Sequence, residues 1–133
     1  MALVVPDEGE RRLLNYIVNK VSPTNLILRL YTNNVSLSGE SFTTASFTEA
    51  SASGYAAVTL TGANWTVSTT SGVSSAVYNS SITFTFGVGQ SVYGYYVTDT
   101  SGNILWAEEF PGAPFTLPSG GGEISVRPQL QLN

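Results

Sequence analysis

The pattern of apolar and polar residues changes character once along this chain. Between residues 7 and 21, Leu13, Leu14, Ile17, Val18 and Val21 recur at helical spacing. That pattern predicts an amphipathic helix over 7–21. Asp7 stands in N-cap position, and Glu10 follows three residues later where a capping box needs it. Acidic residues lead the segment and Lys20 trails it, as the helix dipole prefers. Ser22-Pro23 ends it, because the residue before a proline is driven out of the α region.

From Thr24 onward the period is two. Leu26, Leu28 and Leu30 alternate with Ile27, Arg29 and Tyr31, which predicts a strand with one strongly apolar face. Residues 33–54 are small, polar and irregular, with a short strand expected near Ser46-Phe47-Thr48. Connections of that length often carry contacts. Further strands are expected at 56–61, 64–68, 76–78, 82–86, 91–98, 103–110 and 122–132. Ile82, Phe84 and Phe86 share a face, Tyr93 and Tyr95 share another, and Tyr96 points away from them. Asp99-Thr100-Ser101-Gly102 reads as a hairpin turn. Pro128 cannot donate to a ladder and marks an edge or a bulge. About eight strands with closely spaced turns predict a mainly β fold, a two-sheet β-sandwich or jelly roll with one N-terminal α-helix. One domain over 1–133 is expected, with an apolar arm at 1–5, the helix at 7–21 and the sandwich at 24–132.

Composition narrows the chemistry. The chain has 133 residues, no cysteine and no histidine. Disulfides, thiolate chemistry and zinc sites are therefore excluded, and so is the usual nucleophilic triad. Only 11% of residues are charged, with a net charge of −4 and five basic residues. Nucleic-acid binding needs clustered cations to neutralise phosphates, so no nucleic-acid partner is expected. No apolar run approaches the ~20 residues of a membrane span, and the first residues lack the basic region of a secretory signal. Synthesis in the cytoplasm, with no membrane partner, is the expectation.

Few constellations remain. Asp99 near Asn103 is the one loop cluster that offers oxygens to a hard cation, but a turn uses the same residues for backbone reasons. Glu108 and Glu109 are adjacent on a strand, point to opposite faces and cannot act as a carboxylate pair. Either would need Glu40, Glu49 or Glu123 as its partner. Trp65, Trp106, Tyr31, Tyr93, Tyr95 and Tyr96 lie on predicted strands. Such aromatics fill cores and subunit contacts, and in carbohydrate-binding sandwiches they stack on sugars. The expectation is a structural or binding module and no enzyme, with no catalytic, cofactor or metal residues.

Several blocks carry a resemblance: Pro6-Asp7-Glu8-Gly9-Glu10, Gly54-Tyr55-Ala56-Ala57-Val58-Thr59-Leu60, Val92-Tyr93-Gly94-Tyr95-Tyr96-Val97-Thr98, Ile104-Leu105-Trp106-Ala107-Glu108-Glu109-Phe110 and Gly122-Glu123-Ile124-Ser125-Val126-Arg127-Pro128. Together they resemble small virion proteins of tailed bacteriophages, closest to the capsid cement or decoration proteins. The resemblance implies a β-sandwich subunit on the exterior of the virion capsid. It implies the major capsid protein as partner, and a homo-oligomer with a trimer favoured. A tail or baseplate module and a carbohydrate-binding sandwich are the alternatives. The apolar ends and strand-borne aromatics make Leu3, Val4, Val5, Tyr93, Tyr95, Trp106, Leu130 and Leu132 the expected protein–protein interface.

Overall fold

A computed structural model describes residues 3–132. Met1, Ala2 and Asn133, which belong to the expected arm and the C-terminal strand, lie outside the described residues. Among the described residues the chain is mainly β: one α-helix is followed by eleven strands in antiparallel sheets.

Helix α1 (Asp7–Ile17) is shorter than predicted. Pro6, not Asp7, occupies the N-cap, and no side chain caps the first turn. The helix ends before Ser22-Pro23 because Asn19 turns left-handed, at φ 59°. Asn19 N–H then donates to Tyr16 O and Lys20 N–H to Asn15 O, two bonds that close a Schellman motif. Most of the expected apolar stripe is not the face that packs: of its residues within α1, Leu13 alone is partly buried. Gly9 is the residue buried in α1, and it rests on the Leu105 carbonyl so closely that any Cβ would collide with it. Leu14, Ile17 and Val18 stay exposed, at 63%, 82% and 68%.

The central sheet has the order β2 (Val58–Leu60), β1 (Leu26–Tyr31), β7 (Gly94–Thr98), β8 (Ile104–Glu109). Leu28 and Leu30 of β1 face the main core, opposite Val97 and Tyr95 of β7. That core is completed by β4 (Val73–Tyr78), β5 (Ile82–Phe86) and β10 (Gly122–Val126), which supply Tyr78, Phe84, Phe86, Ile124 and Val126. Two short strands, β6 (Ser91–Val92) and β9 (Phe115–Thr116), close one end. The expected strand 91–98 breaks at Tyr93, between β6 and β7. Tyr93 and Tyr95 consequently pack on different clusters, Tyr93 with Tyr96 and Tyr95 in the main core.

Residues 32–50 form the other covering layer. Phe47, Phe42 and Leu37 fold back over the outer face of the central sheet and pack with Tyr31, Tyr96, Ile104 and Ala107. Phe47 stacks on Tyr96 at 4.5 Å and meets Tyr31 edge-on at 4.8 Å. A 3₁₀ turn at Thr44–Ser46 replaces the expected short strand there. Val4 pairs with Ala107 and covers the free edge of β8.

The predicted C-terminal strand is divided at Arg127-Pro128. Its first half is β10, paired with β5, and its second half is β11 (Gln129–Leu132), paired with β4. Strands β11, β4 and β3 (Trp65–Thr70) form a three-stranded sheet in that order.

Candidate functional site

A groove of about 320 Å³ lies between the end of α1 and the three-stranded sheet. Leu13 and Tyr16 line it from the helix, Val67, Ala76 and Leu130 from the sheet, and Leu105, Trp65 and Trp106 form its floor. No charged residue lines it. Sequence register explains the sheet wall: Val67 is opposite Ala76, and Ala76 is opposite Leu130, so the three form one row on one face. A β-bulge explains the floor. Val97 pairs with Trp106 and Thr98 with Ile104, which leaves Leu105 as the extra residue. The bulge breaks the alternation and aims Leu105 toward α1. The same two elements carry exposed apolar residues: Leu14, Ile17 and Val18 at the helix, and Val67 and Leu132 on the sheet.

One ionic cluster fixes the helix wall. Arg12 Nε donates to Asp99 Oδ2 at 2.8 Å, and the Tyr16 hydroxyl donates to the same oxygen at 3.2 Å. Asp99 Oδ1 accepts from the Ser101 and Asn103 backbone N–H groups and from Asn103 Nδ2. Asp99 is therefore both the turn residue expected of it and the anchor of α1 on the β7–β8 hairpin. Burial opposes its charge. The Asn103 and Ser101 hydrogen bonds and the Arg12 guanidinium outweigh that opposition and hold its carboxyl below the ordinary value.

A second pair lies on the covered side of the central sheet, where Arg29 Nη1 donates to Glu49 Oε1 at 2.9 Å and the Tyr55 hydroxyl to Glu49 Oε2 at 2.7 Å. Burial pushes the neighbouring Tyr96 hydroxyl up to about 12. The Tyr95 hydroxyl donates to Glu108 at 2.8 Å, and burial pushes its pKa upward too.

Elsewhere the sheet exteriors carry hydroxyl pairs: Thr83 with Ser125 at 2.9 Å and Ser91 with Thr116 at 3.0 Å. Thr85 is exposed beside Thr83 on the same strand, opposite exposed Glu123.

The residues expected at an interface divide into three groups. Tyr95 and Trp106 are 3% and 2% exposed and belong to the core, so neither is offered to a partner; β7 and β8 are covered on both faces. Leu3, Val4, Val5 and Tyr93 are partly buried against the chain's own clusters. Leu130 lines the groove, and Leu132 is 64% exposed beside it. Trp65 meets Trp106 edge-on at 6.2 Å, so the two indoles do not make a flat platform. Sequence reading missed Val67, Leu14, Ile17 and Val18 as surface residues. The helical stripe was visible, but Gly9 and Arg12 were the signs that the helix docks by the side next to it. Among the described residues no cluster of three or more acidic side chains stands in metal-binding geometry, and no helix is long and apolar enough to cross a membrane. Compared with known proteins, the chain matches no family model and no curated sequence.

Proposed function

We propose that this chain is a structural protein of a bacteriophage virion: a cement or decoration subunit, built as a two-layer jelly-roll sandwich, that binds the exterior of the major capsid protein shell and stabilises it. The observation that carries the reading is an exterior poor in free ions and lined by hydroxyls. Arg12 and Arg29 are paired within the fold, and Arg127 donates to the Tyr78 and Asn79 carbonyls. The outer face of β5 and β10 presents Thr83, Thr85 and Ser125. Glu123 is the one charge on that face, so another polypeptide can cover the face with little stripping of water from charges, the step that makes buried ions costly. Repetition on a lattice multiplies modest contacts of this kind. Made in the host cytoplasm, the subunit would act after the shell has assembled.

Purified protein added to shells that lack it is expected to co-sediment in fixed stoichiometry and to raise the temperature at which they rupture. A Thr83→Lys/Ser125→Glu double variant is expected to bind at least tenfold more weakly. Shells that neither bind the protein nor gain rupture temperature would overturn the reading.

A further inference from the structure

The free edge of β3 lacks the usual protections. It has six residues, Trp65-Thr66-Val67-Ser68-Thr69-Thr70, without a charge or a proline. Its register against β4 runs unbroken from Trp65↔Tyr78 to Thr70↔Val73, so no bulge twists the edge away. β3 is the longer edge strand of the β11-β4-β3 sheet, and the two edges of the central sheet show the contrast: β2 has three residues, and Val4 pairs onto β8. Long, flat, uncharged edges are templates for another strand, and proteins that do not use them blunt them.

The hairpin turn settles which groups that edge presents. Ser71 and Gly72 both have positive φ, 51° and 81°. That makes a two-residue type I′ turn, whose flanking residues exchange hydrogen bonds. Thr70 and Val73 are those residues. Alternation then directs the backbone N–H and C=O groups of Thr69 and Val67 away from β4. Among the described residues neither N–H has a partner outside the sheet.

We propose that β3 pairs antiparallel with β3 of a second copy of this chain, across a two-fold axis perpendicular to the sheet. Two observations select a second copy as the occupant. With no charge on β3, like faces like without repulsion. The axis also sets the two copies' Val67 residues, each 75% exposed, side by side at the centre of one continuous six-stranded sheet, where each covers the other. The pairing closes at two copies, unlike the trimer the sequence resemblance implies, and it does not rest on the capsid reading.

Sedimentation equilibrium of the whole chain tests it. The wild type is expected at twice the 14.1 kDa chain mass at micromolar concentration. Two variants are expected at the monomer mass with at least tenfold weaker association. Thr69→Pro removes an N–H that β4 does not use, and Val67→Lys puts like charges at the centre of the pairing. Circular dichroism and thermal melting of diluted samples are expected to show both variants folded. Should Thr69→Pro fail to fold, Val67→Lys alone decides. A wild type that stays monomeric, a trimer, or a dimer that survives both substitutions overturns the proposal. A monomer that gains protection at β3 only on added capsid shells assigns the edge to the capsid protein instead and also overturns it.

Discussion

Strands β7 and β3 are of similar length, yet their surroundings are opposite. Every residue of β7 is buried, whereas only Trp65 of β3 is partly so. β7 has β1 and β8 beside it, the main core on one face and the Phe47 layer on the other. β3 has β4 on one side alone and an open groove on one face. Composition does not account for the difference, since Val67 and Trp65 are as suited to a core as Val97. Topology does: β7 is central in its sheet and β3 is an edge. The folded chain thus separates a doubly covered sheet that supplies stability from a singly covered one with surface left to bury.

The largest effect that would break this comparison is expected at the layer over β7. Phe47→Ala removes the ring that joins Tyr96, Tyr31 and Phe42. Large aromatic deletions in cores cost about 4 kcal/mol, and urea unfolding should show a loss of that order. The same change at a residue of β3 that meets only solvent should cost little, and Ser68→Ala is expected within about 0.5 kcal/mol of wild type.

Next in size is the anchor of the groove's helix wall. Asp99→Ala leaves Arg12 without its carboxylate and is expected to cost about 3 kcal/mol, with α1 amides losing protection first. The same group sets a pH dependence. Its folded pKa is held below its unfolded value of 3.8. The stability it contributes is therefore complete above that unfolded value and disappears as pH falls through the lower, folded one. The wild type should lose stability more steeply below pH 4 than Asp99→Asn, measured by thermal melting across pH 2–6.

A smaller effect sharpens the comparison from inside the core. The Tyr31 hydroxyl is fully buried with no hydrogen-bond partner among the described residues. A buried polar group without a partner is a cost, so Tyr31→Phe is expected to be neutral or to stabilise by up to about 1 kcal/mol.

Much of this fold was legible in the sequence, and the places where it was not share a cause. Leu28 and Leu30 declared their face by alternation, as did Phe84 and Phe86, because a strand's period is local. The Asp99–Gly102 turn was equally local. Phe47 was hidden because a loop that folds back over a sheet has no period to read. Leu105 was hidden because a bulge breaks the alternation on which strand reading depends. The helix starts where expected and ends four residues early, and most of its apolar stripe is not what docks. A stripe of leucine, isoleucine and valine marks one side of a helix without saying whether this chain or another covers it. The candidate site follows the same rule: Leu130 and Leu132 were visible in strand alternation, while the exposure of Val67 depends on its strand being last in a sheet.

The most direct test of the contrast between the two sheets is backbone hydrogen exchange at low and high protein concentration. Amides of β7 should be protected equally at both, whereas those of Val67 and Thr69 should gain protection only where two copies meet. Rapid exchange of Val67 and Thr69 at every concentration would contradict the account.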